Sequence, residues 1–429
     1  MWRKLSILIV LAGIALGSAW GQSKSNSPYS IFGLGDLYTP GYIQFPEFGG
    51  ASAGLLEKNK INFSNPASYR AIDSMRFLID FALTSTTRRI ADENSAYQTT
   101  DFNFTYYAIG FRVTPWWHAS IGLTPVSNRN YRIGLKNSET EIYNETYYIG
   151  TGNLNQAYLG QSISILPNLS FGFNVKYVFG EMTETKTILF PNEPFMRNTQ
   201  QGYTKQIHDF GFDAGLMYTH QISDYRTLNL GFTYQPLQKI DYTEEYLFGA
   251  TAGDNLENID DNTILDTTDY YQDVERSFNL PQSFSVGASY VETNKQTATV
   301  AFDMSLWDET DNSNLENAAT TLNNSYRISG GYSFIPKWNS ASSYFKRATY
   351  IFGAFFEKQY MDVRGENINN FAISAGVGFP IRRAGMMLNV GAEAGQRGML
   401  DNDLIQENYI KLNIKLNFRE VWFFERKYD

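Results

Sequence analysis

The chain contains no cysteine, which excludes disulfides, thiolate metal sites and cysteine nucleophiles. Histidine is nearly absent too: only His118, His208 and His220 occur. His208 adjoins Asp209, but neighbours in an extended chain point to opposite faces, so the two do not form a catalytic pair. HExxH, Walker-type and paired-cysteine motifs are missing. The chain is therefore not read as an enzyme, and no cofactor or metal is expected. Basic clusters are lacking as well, and the net charge of −9 argues against nucleic acid as a partner. Beyond residue 21 no apolar run approaches the roughly 20 residues that a membrane helix needs.

What is present begins with residues 1–21, which read as a signal peptide. Arg3 and Lys4 give a charged start, Leu5 to Leu16 an apolar stretch, and Ala19-Trp20-Gly21 a small-x-small cleavage site. A membrane anchor is the alternative, but the apolar stretch is short for one. Aromatics make up 16% of the chain although mean hydropathy is only −0.34. A transmembrane β-barrel reconciles the two values. One face of each strand meets water, while aromatic girdles gather at the membrane interfaces.

Alternation supports that reading. In YIKLNIKLNF (409–418), Ile410, Leu412, Ile414, Leu416 and Phe418 alternate with Lys411, Asn413, Lys415 and Asn417. A period of two places the apolar set on one face and the polar set on the other. Comparable runs occupy 75–90, 101–114, 118–136, 144–166, 168–190, 204–221, 226–248, 276–292, 296–308, 321–335, 347–362, 368–381 and 385–398. With 408–418 they make fourteen, an even number that returns both ends of a barrel to the periplasmic side. The connections alternate between tight turns and longer, polar loops at 91–100, 191–203, 249–275, 309–320 and 399–407. One turn, 336–346, is long for the periplasmic side. A soluble all-β repeat is the competing reading, but its strands would average nearer five or six residues.

Residues 22–74 break the pattern. They carry SPYSIFGLGDL (27–37), FPEFGGASAGLL (45–56) and NFSNPASYRAID (62–73), punctuated by Gly, Ser, Ala and Pro and anchored by aromatics such as Phe45 and Phe48. Such a stretch is too apolar for a disordered tail. A fourteen-stranded barrel leaves a hole that its own side chains do not fill, and this segment is expected to fill it as a plug. Glycines within strands (Gly160, Gly172, Gly211, Gly231, Gly287, Gly376) mark bends or close approach of the plug backbone.

A plug running straight into the first strand, Asn65-Pro66-Ala67 just before that strand, and fourteen strands after it resemble the FadL-type outer-membrane transporters for hydrophobic compounds. SPYSIFGLGDL and Tyr148-Ile149-Gly150-Thr151-Gly152-Asn153-Leu154-Asn155-Gln156 look like a branch of that family. The resemblance covers essentially the mature chain: signal peptide 1–21, plug or hatch 22–74, barrel 75–418 and a periplasmic tail 419–429. It implies a Gram-negative outer membrane, with lipid and lipopolysaccharide around the wall. It also implies passive uptake of a hydrophobic, fatty-acid-like molecule. Loops catch it, a pocket in the barrel holds it, the hatch (Asn65, Pro66, Ala67, Phe45, Phe48) shifts, and the ligand leaves sideways through a kinked strand. A fatty-acid carboxylate wants a cation in the lumen, for which Arg76, Arg112, Lys176 and Arg327 are the candidates, without a cluster that singles one out.

Three signals stay open. Asn65-Pro66 also reads as a helix start, with Asn as cap and Pro as first residue. The acidic stretch 253–275 offers Asp260, Asp261, Asp266 and Asp269 as calcium ligands, though a solvated loop suits its spacing better. Trp422-Phe423-Phe424 in the tail either tuck against the rim or dock a partner. With the long turn at 336–346, they motivate a second reading: an accessory barrel within a larger outer-membrane assembly, with reduced transport or none.

Overall fold

In the computed structural model, the described residues are 27–73, 76–93, 95–137, 142–193, 195–252, 264–312, 320–340, 343–381, 386–400, 402 and 404–421. The expected signal peptide, the loop residues Asp260 and Asp261, and Trp422-Phe423-Phe424 lie outside them. The wall is a closed antiparallel barrel of fourteen strands. They are β1 (Arg76–Ala91), β2 (Ala96–Thr114), β3 (Trp117–Asn137), β4 (Asn144–Leu166), β5 (Leu169–Leu189), β6 (Thr199–Ser223), β7 (Arg226–Gln235 and Gln238–Thr251), β8 (Ile264–Leu280 and Gln282–Glu292), β9 (Gln296–Leu306), β10 (Thr320–Leu322 and Ser325–Phe334), β11 (Thr349–Val363), β12 (Glu366–Ile381), β13 (Met386–Arg397) and β14 (Gln406–Val421). Each strand pairs with its neighbours in sequence, and β14 closes on β1 in register from Gln406 opposite Ala91 to Val421 opposite Arg76.

The period of two sorts the side chains as the sequence implies. On β14, Ile410 and Leu412 are 57% and 53% exposed on the outside, whereas Lys415 and Asn413 are buried on the inside at 4% and 6%. Nearly every other strand carries exposed Leu, Ile, Val or Phe on its outer face, such as Phe210, Phe212, Val300, Ile328 and Ile373. An apolar outer band on a closed wall suits a lipid surround, because closure leaves no strand edge in hydrocarbon.

The strand boundaries follow the expected runs with three informative differences. First, β8 begins at Ile264 rather than 276, so Asp266 and Asp269 sit in a strand, paired to Ala250 and Phe248, and not in a loop. Polar residues fill both faces there, which removes the apolar alternation without removing the ladder. Second, β14 runs on to Val421, because β1 still offers partners down to Arg76. Third, β7 and β8 each break at a proline, at Pro236-Leu237 and at Pro281, and the breaks face each other: Gln238 pairs Leu280 and Gln235 pairs Ser283. Proline donates nothing to a ladder, so two neighbouring strands lose their regular pairing at one level.

At one end of the barrel the turns are short. The exception is 335–348, which carries a helical turn at Phe345–Arg347 with Tyr344 stacked on Phe379 at 6.1 Å. At the other end the connections are longer, apart from Arg364-Gly365. Both of those residues adopt positive φ (55° and 84°), as a two-residue hairpin requires.

Residues 27–72 lie inside the ring. Short helical turns at Pro28–Ile31, Pro40–Gln44, Pro46–Phe48 and Pro66–Ala71 pack against inner faces all round the wall, Pro46–Phe48 against β10 to β13 and Pro66–Ala71 against β3 to β6. Their aromatic and aliphatic side chains are buried: Tyr29, Phe45, Phe48, Leu55, Ile61, Phe63 and Tyr69 are all under 5% exposed.

Candidate functional site

The inner segment is fitted to the wall at backbone distance. A Cβ on Gly287 would stand 2.7 Å from the Gly54 nitrogen of the inner chain, and one on Gly231 would collide with the Ala53 carbonyl. Glycine is required at such positions because no side chain leaves room for the second backbone. Gly160, Gly172 and Gly376 likewise face Tyr69, Pro66-Ala67 and Glu47, whereas Gly211 faces Gln238 of the wall instead.

Asn65 is the joint. Its side chain caps the Pro66–Ala71 turn by accepting from the Ala67 N–H at 3.1 Å. Its Nδ2 donates to the Ala53 carbonyl at 2.7 Å and the Leu216 carbonyl at 3.3 Å. The Ala67 carbonyl in turn accepts from Ser162 and Ser170. Asn65-Pro66-Ala67 is thus a capped helix start that also touches the wall. Phe45 and Phe48 pack edge-to-face at 6.5 Å beneath the Lys60 ammonium, 5.8 and 5.6 Å from their rings.

Buried ion pairs tie the segment further. Glu47 meets Lys415 of β14 at 2.5 Å, with both side chains at most 5% exposed. Arg397 of β13 meets Asp36 at 2.6 Å and lies over the Tyr29 ring. Of the candidate lumen cations, Arg327 donates to the Gly49 carbonyl at 3.1 Å, faces Glu357 at 3.6 Å, and stacks on Tyr42 and Phe355. Lys176 pairs with Asp213 on β6 and donates to Gln235. Arg112 donates to the Thr114 carbonyl near the turn between β2 and β3; the Arg76 side chain is outside the described set. The structure does not gather Arg112, Lys176 and Arg327 into one site, and Arg327 and Lys176 each already face a carboxylate.

The irregular place in the wall lies between β2 and β3. Their pairing runs only from Thr114 opposite Trp117 to Tyr107 opposite Leu123. Beyond it, after a bulge at Pro125, β3 pairs with the inner segment instead: Asp36 with Asn128, Leu37 with Ser127, and the Tyr38 N–H with the Val126 carbonyl. A strand that trades its neighbour for an internal segment leaves the wall split above Tyr107. A cavity of about 90 Å³ lies behind the split, between β1, β2, β3, β4, β14 and the inner segment. Tyr38, Tyr42, Thr84, Arg88, Asn103, Asn128 and Lys411 are among its walls. The sequence reading placed no gate strand; Pro125 in the middle of an otherwise regular strand was the available signal.

Several solved structures share this architecture. A Pseudomonas aeruginosa FadL homologue aligns with a TM-score of 0.54 at 11% identity, over 91% of this chain and 99% of its own. The Pseudomonas putida toluene transporter TodX aligns at 0.52 and 12%, over 90% and 100%. The Ralstonia pickettii toluene transporter TbuX aligns at 0.52 and 10%, over 90% and 98%. At such identities the likeness is one of fold: this is the FadL-type barrel. No curated protein matches the sequence. A family model described as BamG matches residues 1–429. The chain belongs to the BamG family.

One further motif in this BamG-family chain resembles a catalytic string. Gly50-Ala51-Ser52-Ala53-Gly54 is a GxSxG sequence. A hydrolase elbow sets its serine on a strand-to-helix turn beside a histidine. Here Ser52 is buried in the inner segment, its hydroxyl accepts from Ser64 at 2.7 Å, and no histidine is among its hydrogen-bond partners.

Proposed function

We propose that the protein is an outer-membrane barrel that lets a small hydrophobic or amphiphilic molecule pass between the barrel interior and the membrane, through the split between β2 and β3. Residues 1–21 act as the secretion signal, residues 22–74 as the hatch, and the residues after Val421, where β14 ends, as a periplasmic tail. The observation that carries the reading is that β2–β3 pairing stops at Tyr107 with a cavity directly behind the gap. A side exit suits a lipophilic substrate, because the bilayer solvates it where an aqueous pore does not. The hydrocarbon channels that share the fold support the same direction, as does the apolar outer band. No energy source is needed for movement down a gradient.

The absence of native cysteine makes the test clean. A cysteine introduced at Asn103, beside the cavity, is expected to react with a maleimide carried on a membrane-dissolved lipid as well as with a small aqueous one. Reaction with the aqueous reagent alone, together with unchanged uptake of hydrophobic compounds in a deletion strain, refutes the side passage.

One observation favours a second reading, the accessory barrel of a larger outer-membrane assembly. The inner segment is held by the buried Glu47–Lys415 and Arg397–Asp36 pairs and by glycine contacts all round the wall, which supports a permanently filled barrel. Extraction in mild detergent distinguishes the two. A stoichiometric complex with other outer-membrane proteins, combined with unimpaired uptake when the chain is removed, selects the second.

A further inference from the structure

The cavity behind the split differs from what a fatty acid or a bare hydrocarbon needs. An apolar ligand wants apolar walls, yet Asn103, Asn153, Asn155 and Asn413, with Thr84 and Thr86, put amides and hydroxyls around this space. A carboxylate wants an unengaged cation. Arg88 already faces Asp101 at 3.6 Å. Lys411 faces Glu393 at 3.8 Å and donates to the Tyr42 hydroxyl. Three residues that line the cavity each carry a buried side-chain oxygen without a hydrogen-bond partner, the Asn128 Oδ1, the Ser127 Oγ and the Asp101 Oδ2, in residues 5%, 1% and 1% exposed.

Resting on the side-passage reading, we infer that this cavity takes the neutral, hydrogen-bond-donating head of an amphiphile, one that ends in hydroxyl or amide groups. The Asn128 oxygen only accepts. A hydroxyl or amide N–H satisfies it, whereas a carboxylate offers no proton and a hydrocarbon leaves it unpaired. A site whose buried polar atoms lack partners discriminates strongly against ligands that cannot supply them. The size agrees. At roughly 10–15 Å³ of such space per water molecule, about 90 Å³ holds a handful of waters or a head of glycerol to hexose size. The split leaves the tail a way into the membrane beside the apolar outer face.

The test uses the full-length mature protein in phosphatidylcholine nanodiscs, titrated calorimetrically against empty discs with 1-decanoylglycerol, decanoate and decane. The glycerol ester is expected to bind saturably and at least tenfold more tightly than either of the others. Asn128→Leu is expected to reduce that preference to threefold or less. Ser127→Ala, a one-atom deletion that leaves the fold intact, should reduce it about threefold. Decanoate or decane binding as tightly as the ester overturns the head-group assignment. If the cysteine at Asn103 is nevertheless labelled from the membrane, the side passage still stands. Binding of none of the three also overturns the assignment, and the same labelling then decides the passage separately.

Discussion

Replacing Lys415 by methionine should release the inner segment. Lys415 is 4% exposed and Glu47 is 2% exposed, so the pair sits away from bulk water. The ammonium bonds both the Glu47 carboxylate and the Gln44 carbonyl, the latter at 2.8 Å. Glu47 Oε1 has no partner even with the lysine present, so removing Lys415 strands an entire buried carboxylate. Breaking a buried pair from one side costs about 3–5 kcal/mol, whereas replacing both partners by apolar groups is close to neutral. If that cost falls on the docked state of the segment, its open population rises by two to three orders of magnitude, at about 1.4 kcal/mol per tenfold. Trypsin reads this directly, because Lys58, Lys60 and Arg70 lie in the segment and cleavage tracks the open population when reclosing is fast. K415M should be cut at these sites about a hundredfold faster or more in detergent micelles. The double variant K415M/E47M should return to within about tenfold of the parent. Methionine is the choice at position 47 because the Glu47 Cγ lies against Gly376 and Gly391, where a branched side chain would clash. A cleavage rate for K415M within twofold of the parent, or a double variant as labile as the single one, refutes the account of this pair as a tether.

Other consequences are as direct. Gly231→Val should displace the segment at Ala53, raising cleavage at the same lysines, while the barrel still migrates as a folded species in unheated gels; unchanged cleavage would contradict the backbone contact. Asn65→Ala removes a helix cap, a hydrogen bond to Ala53 within the inner segment and one to Leu216 of the wall, and should lower the unfolding free energy in a denaturant titration by about 1–3 kcal/mol. Hydrogen exchange should be faster in β6 at residues 209–213, opposite the break at Pro236-Leu237, than at residues 214–218, which pair with β7; equal protection would argue that the proline breaks leave the ladder intact.

Much of this architecture was legible in the sequence because a lipid-exposed barrel writes its geometry as a period of two. All fourteen runs correspond to wall strands, and the polar side of YIKLNIKLNF faces inward as its alternation implies. What escaped was governed by pairing rather than by periodicity. The start of β8 at Ile264 was hidden because Asp, Thr, Tyr and Gln suit either face of a strand outside the hydrocarbon layer. The split beside β3 depends on Asp36-Leu37 replacing β2 as a partner, a contact between residues about ninety positions apart that no local pattern encodes. Charged residues were visible but not their partners. Arg327 and Lys176 read as candidate lumen cations, whereas Glu357 sits opposite Arg327 and Asp213 reaches Lys176 diagonally from the neighbouring strand. Asn65-Pro66-Ala67 was legible as a cap, since that chemistry is local.

The seam where β14 meets β1 is also where the innermost chain is fastened. Lys415 holds Glu47, Lys411 holds Tyr42, and Ser27 donates to Glu407 across 380 positions of sequence. The segment that precedes the first wall strand is thus secured by β14. Seating the segment and sealing the cylinder become one late event, whose loop-closure cost is met only when the whole chain is present. A barrel truncated before β14 would lack both its seam and the clasp on its contents, so the closing strand serves as a completeness check on the folding of the entire molecule.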